Sequence, residues 1–309
     1  MDDQVVRAPR PGGPDRRPSR GHLLLRRVAA TVLLFGLLGL AAWLAVSALG
    51  NDEEAPPPPP TTAVVPKPVT LRIVFPEGFT RKDMVTRVAE VRKIARTKRK
   101  VTPRLTAKAY DAAAKRAAVP AAFRKDAKGV EGFLFPATYE FTPKTTGRQL
   151  VGDQLDHFAR NWRRVDLAYA RSKNLTPYDV LVIASMVEKE TVAAKERPLV
   201  AAVIYNRLKA GMPLGIDATI RYGLGVPGTK ALRVSQLESD NPYNTRNRTG
   251  LPPTPIANPG LASLLAAAKP AKVDYLYFVR KPDKVHHFFT ASESEFFSKA
   301  CEYGYGCGP

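Results

Sequence analysis

Two glutamates two residues apart stand in the run Ala184-Ser185-Met186-Val187-Glu188-Lys189-Glu190-Thr191. A carboxyl group is suited to lend a proton to a leaving oxygen and to take one back. Leu181, Ala184 and Glu188 are three and four residues apart, a spacing that aligns the Glu188 carboxyl with the apolar face of a helix. Loss of water on that face disfavours the charged form and keeps an acid protonated near neutral pH, so Glu188 is the candidate catalytic acid. Glu190 points roughly the opposite way and is expected on a charged face with solvent, Lys189, Lys195 or Arg197. By itself the pattern is weak, because glutamates near helix ends are mostly surface residues.

Other chemistries find little support. The chain holds no G-x-S-x-G, H-E-x-x-H or P-loop motif. Its two cysteines, Cys301 and Cys307, lie in the last nine residues, and there are only four histidines. A Cys-rich zinc or iron-sulfur site is excluded, and neither a metal nor a cofactor is expected.

The elements that must position these carboxyls can be read from local signals. Thr176-Pro177-Tyr178-Asp179 has a hydroxyl cap, a proline at the first helical position and an acid in the first turn, which predicts a helix over residues 177–191. A second helix is expected from Pro198 to Gly211, and an amphipathic one around Gln149 to Trp162. Val69, Leu71, Ile73 and Phe75 alternate as in a half-buried strand, broken by Pro76-Glu77-Gly78; Thr80 and Asp83 then have capping-box spacing. Residues 131–136 (EGFLFP) look like an aromatic strand. Asn258 is expected to cap a short helix after Asn258-Pro259-Gly260, and residues 274–280 with 285–290 are expected to form a hairpin carrying His286. Helices and strands intersperse without a βαβ rhythm, so the fold class is α+β.

Upstream, residues 28–49 form a 22-residue uncharged run. As a helix it would extend ~33 Å, enough for a bilayer core of ~30 Å. Seven arginines and three aspartates precede it, and Asp52, Glu53 and Glu54 follow. Basic residues on the N-terminal flank keep that end in the cytoplasm, so a single-pass protein of the cytoplasmic (inner) membrane is expected, its folded part extracytoplasmic. A cleaved signal peptide is the competing reading, disfavoured by the length of the run. Residues 50–68, with five consecutive prolines, read as a stiff spacer reaching ~60 Å.

The expected order is therefore a basic tail (1–27), a transmembrane helix (28–49), a proline-rich linker (50–68), a small basic module (69–129) and a larger domain (130–309). The chain carries 48 Lys+Arg against 28 Asp+Glu, a net charge of +20. Residues 50–309, placed outside the membrane, hold 41 Lys+Arg against 25 Asp+Glu (+16), a surplus that points to anionic wall polymers and acidic headgroups and away from nucleic acid. Outside the cytoplasm Cys301 and Cys307 can close a small loop (CEYGYGC); two free thiols are the alternative.

Several ordered blocks carry a resemblance. The Glu188 run and residues 202–214 (AVIYNRLKAGMPL) are joined by 217–223 (DATIRYG), 242–245 (PYNT), 250–253 (GLPP), 256–260 (IANPG), 275–279 (YLYFV), His286-His287-Phe288 and 131–139 (EGFLFPATY). Together they resemble the endolytic murein transglycosylases (MltG-type, YceG-like family) over residues 69–298.

The resemblance implies a lytic transglycosylase cutting nascent peptidoglycan glycan strands between N-acetylmuramic acid and N-acetylglucosamine, with Glu188 as acid and then base and a 1,6-anhydro end as product. It also implies that residues 69–129 are a LysM-like module. Asp217, Thr219, Tyr222, Tyr243, Asn244 and Thr245 are the substrate-contact candidates. Peptidoglycan strands and the cytoplasmic membrane are the expected partners, with peptidoglycan synthases or division proteins as further candidates. Ala137 stands where the family has aspartate, and residues 293–297 lack its acidic-histidine pair. The alternative is a non-catalytic, membrane-anchored wall-binding or division scaffold protein.

Overall fold

The structure is a computed structural model that describes residues 21–48 and 69–307. It divides into two units, residues 1–65 and 66–309. In the first, helix α1 (Gly21–Ala48) covers 28 residues. Its side chains are described for residues 31–33 and 35–47, and the large apolar ones, from Val32 to Val46, are exposed. Among the described residues no helix is long and apolar enough to cross a membrane. Most of the expected cytoplasmic tail and all of the proline-rich linker lie outside the described residues.

The second unit opens with strand β1 (Leu71–Val74), then helices α2 (Arg81–Lys98) and α3 (Ala107–Arg116), strand β2 (Thr138–Phe141) and helix α4 (Gly147–Trp162). The expected box caps α2: Thr80 and Asp83 satisfy each other's backbone N–H groups. β1 pairs antiparallel with β2, Leu71 opposite Phe141 and Ile73 opposite Tyr139.

One core cluster joins Ile73, Phe75, Met84, Val88 and Tyr110 to Leu134, Tyr139, Leu150 and Val151. The boundary expected at 129/130 therefore runs through a shared core, because the small module's second strand and part of its packing come from beyond it. Gly147 explains how closely α4 meets α3: a Cβ there would lie 2.7 Å from the backbone at Ala109 and Tyr110. Residues 131–136 are a turn and not the expected strand. Gly132 takes φ +90° there, and a Cβ on it would collide with the Pro255 ring.

The larger core is built on helix α6 (Pro177–Glu190), which follows the short helix α5 (Ala168–Ser172). The Thr176/Asp179 box and Pro177 start α6 as expected. Tyr178 and every residue from Val180 to Val187 are buried, so the helix is buried all round and lacks the single apolar face expected of it. It packs on helix α7 (Arg197–Lys209), helix α8 (Asp217–Leu224) and, beyond the short helix α9 (Val234–Leu237), helix α10 (Leu261–Ala268).

The hairpin forms as expected, with β3 (Tyr277–Arg280) antiparallel to β4 (His287–Thr290), and helix α11 (Glu293–Glu302) packs on it. Many helices and two separate two-stranded antiparallel sheets make the fold α+β. Cys301 and Cys307 are disulfide-bonded.

Candidate active site

The site lies where α6 leaves the core. At 100° per residue, side chains two apart diverge by about 200°, so Glu188 and Glu190 enter different surroundings.

Glu188 is tied into a closed knot. Its Oε2 accepts from the Gly260 N–H at 3.0 Å and the Ser263 hydroxyl at 2.8 Å, and its Oε1 lies 3.8 Å from Arg197 Nη2. Arg197 Nε also donates to Ser263 Oγ, at 3.1 Å. Only 7% of the Glu188 side chain is exposed. From the small module, Glu77 packs onto Gly260 so closely that a Cβ there would overlap its carboxyl. Burial, and then the Glu188 charge, push the Glu77 carboxyl up. Gly78 N–H donates to Asn258 O and Asn258 N–H to Phe79 O, which docks the Pro76-Glu77-Gly78 turn beside the knot. The Arg197 expected beside Glu190 is thus the partner of Glu188.

Glu190 lines a cleft of about 1910 Å³, and Glu188 is not among the residues that line it. Burial pushes the Glu190 carboxyl up to about 7, with the Asp217 charge raising it further and the Arg280 charge opposing. The Ala218 N–H at the start of α8 donates to it. Arg280 Nη2 donates to its peptide oxygen at 3.4 Å. Such an acid is half protonated near neutral pH, poised to give a proton and to regain one.

A second cleft carboxyl, Glu131, was not singled out from sequence. It accepts from the Arg81 N–H at 2.9 Å, Asn258 Nδ2 at 2.8 Å and the Tyr222 hydroxyl at 3.2 Å. Burial raises it to about 7 against these hydrogen bonds. It therefore joins the first residue of α2, the Asn258 loop and the cleft wall. Asn258 is a cross-link and not the expected helix cap: its Oδ1 also accepts from Leu134 N–H and its Nδ2 donates to Phe79 O, while Gly260 occupies the N-cap of α10.

The six contact candidates separate into two groups. Asp217, Tyr222 and Tyr243 line the cleft. Asp217 pairs with Arg246 at 2.7 Å, and the two tyrosine rings lie 5.2 Å apart. Thr219, Asn244 and Thr245, by contrast, are buried and do not line it. Thr219 and Thr245 share a hydroxyl hydrogen bond at 2.9 Å, and Thr245 Oγ1 accepts from Ile216 N–H. Asn244 Nδ2 donates to the carbonyls of Leu237 and Ser239, both at 2.8 Å. These three pin the loops that carry the others.

Arg207 does the same for the floor, donating to Leu276, Pro213 and Leu214 carbonyls beneath the positive-φ turn at Gly215. His287 is buried against Glu196, whose Oε2 lies 2.7 Å from its Nδ1. His286 sits in the exposed turn beside Asp283. Among the described residues no cluster of three or more His, Cys, Asp or Glu side chains could hold a metal ion.

The model of the YceG-like family matches residues 60–301, which takes in both carboxyls and nearly the whole cleft. The chain belongs to the YceG-like family. Among its relatives is an endolytic murein transglycosylase of Bacillus subtilis (strain 168), 38% identical over 160 residues that cover 52% of this chain and 44% of that protein. An endolytic murein transglycosylase of Streptococcus pneumoniae (strain ATCC BAA-255 / R6) is 38% identical over 156 residues, 48% of this chain and 28% of that one. The chain thus spans less than half the length of these curated relatives. The 2.6 Å crystal structure of a YceG-like protein from Listeria monocytogenes is similar, with a TM-score of 0.58 at 29% identity over 72% of this chain and 74% of that one. In this YceG-like chain the family match stops at residue 301, within α11 and short of the disulfide-closed loop.

Proposed function

We propose that the chain is a lytic transglycosylase of peptidoglycan glycan strands and that Glu190 is its single acid and base. The observation that carries this reading is the place of Glu190 in the wall of a cleft of about 1910 Å³, its carboxyl pushed up to about 7. Protonated, Glu190 gives its proton to the oxygen between N-acetylmuramic acid and N-acetylglucosamine. As a carboxylate it then takes the proton from the muramic 6-hydroxyl, which attacks the anomeric carbon and closes a 1,6-anhydro ring. Because the attacking group is tethered to the reacting centre, one carboxyl suffices and proximity lowers the barrier. Arg280 and the Ala218 N–H hold the carboxylate between the two proton transfers, and Asp217 opposes them. Tyr222 and Tyr243 offer an aromatic wall to the sugars.

The role expected of Glu188 passes in this reading to Glu190, while Glu188 holds α6, α7 and α10 together. The names of the relatives support the reaction class. The uncharged run of residues 28–49, with seven arginines before it and Asp52, Glu53 and Glu54 after it, supports a single-pass anchor in the cytoplasmic membrane, N-terminus in the cytoplasm, with the linker holding the catalytic part outside. β1, α2 and α3 fall within residues 69–129, the part read as LysM-like, and β2 lies beyond it.

Uncrosslinked glycan strands incubated with the chain are expected to acquire anhydro-muramic ends that disappear in Glu190→Gln. Strands bound but left intact by the wild type would favour the scaffold reading; reducing ends in place of anhydro ends would mean hydrolysis.

A further inference from the structure

The cleft has one wall that the family match does not cover. Beyond residue 301 the chain continues from α11 into a loop closed by the Cys301–Cys307 disulfide. The turn folds back on the helix: Gly304 N–H donates to Cys301 O and Tyr305 N–H to Ala300 O. Gly304 and Gly306 take φ +84° and +116°, conformations that side chains resist, so the reversal depends on glycine at both positions.

Between these glycines Tyr305 is 59% exposed, and among the described residues no ring stacks on it. Yet Tyr305 and Gly306 line the same cleft as Glu190, as do Phe296 and Phe297 of α11. Phe296 is braced by Tyr277, with ring centroids 5.3 Å apart. An exposed ring held by a covalent loop on a braced support contributes little to packing; it is arranged to meet something entering the cleft.

Resting on the transglycosylase reading above, we propose that the 301–307 loop is an added saccharide subsite, in which the Tyr305 ring is a platform for the face of one sugar of the glycan strand. A pyranose offers a face of C–H groups rimmed by hydroxyls, which suits a ring with one free face and a hydroxyl at its tip. Charge points to the sugar and not to an anionic peptide: the only ionised side chain of residues 302–306 is Glu302, which pairs with Lys299 at 2.6 Å. The disulfide holds the platform in place before the strand arrives, which lowers the ordering cost of binding.

The test uses the full chain in detergent with long uncrosslinked strands and with a tetrasaccharide, measuring anhydro-end release and strand affinity by calorimetry. Tyr305→Ala is expected to raise KM and Kd for long strands about three- to tenfold with little change in kcat, and to leave the tetrasaccharide nearly unaffected. Tyr305→Trp, the fold control, should retain wild-type affinity. Dithiothreitol should weaken strand binding by the wild type and do nothing further to the paired variant Cys301→Ser, Cys307→Ser. The inference is overturned if Tyr305→Ala binds long strands like the wild type, or if it weakens both substrates equally. If the wild type makes no anhydro ends but binds strands in a Tyr305-dependent way, the catalytic reading falls and the subsite stands; if it neither cuts nor binds, both fall.

Discussion

The two carboxyls at the end of α6 belong to one sequence motif, yet their surroundings are opposite. Glu188 meets two hydrogen-bond donors and a guanidinium in a closed junction. Glu190 meets a cleft, the Arg280 charge, one backbone donor and a neighbouring acid. Both lose water, but Glu188 is enclosed by protein donors, whereas Glu190 opens on a cleft that substrate can enter. Desolvation alone therefore does not identify a catalytic acid; an open path to substrate and incomplete compensation do.

The sharpest way to break that contrast is to remove each carboxyl in turn. Glu190→Gln should lower anhydro-end release by about 10²- to 10⁴-fold while the protein melts as a folded chain, measured by product chromatography beside calorimetry. Glu188→Ala should act through stability, since truncating one partner of a buried charged junction costs about 3–5 kcal/mol; a lower Tm with kcat nearly retained in the folded fraction is the expected result. Similar loss of kcat in both variants at unchanged Tm would erase the distinction.

Glu131 sharpens the comparison through pH. Its folded pKa, about 7, exceeds the ordinary value of 4.5, so the folded chain binds this proton more tightly than the unfolded one. Its contribution to stability is complete below the unfolded value and is lost as pH rises through about 7. Glu131→Gln does not titrate. Relative to the wild type it should gain on the order of 2 kcal/mol between about pH 5 and about pH 8, read from denaturant melts at both. A pH-independent difference would show that the Glu131 carboxyl is fully compensated.

The smallest effect is expected at Thr219. Thr219→Val removes two buried hydroxyl bonds, to Thr245 and to the Ile216 carbonyl, and should cost about 1–2 kcal/mol of stability without moving KM, in keeping with a loop pin.

How much of this was legible in the sequence follows from the range of the forces involved. Caps at Thr80 and Thr176 were readable because a hydroxyl and an acid three residues on satisfy each other locally. The β3–β4 hairpin was readable because its strands are joined by a short turn. The face of Glu188 was not: periodicity picks out a side only on an amphipathic helix, and α6 is buried all round, so the spacing does not distinguish which of the two acids meets the cleft. The pairing of β1 with β2 spans more than sixty residues and leaves no local trace. Asn244 and Thr245 looked exposed because they are polar and lie in loops, whereas their hydrogen bonds to other loops draw them inside. Glu131 could have been noticed as an acid opening an aromatic run at a glycine, a position where a turn and not a strand brings it to the cleft.

The pH dependence of anhydro-end release, measured in the Glu131→Gln background so that only one cleft carboxyl titrates near neutrality, is the most direct test. The account predicts a rate that falls as pH rises through about 7 and that is nearly abolished at every pH by adding Glu190→Gln. A rate that stays level well above pH ~7, or that survives Glu190→Gln and vanishes only with the Glu188 carboxyl, would contradict it.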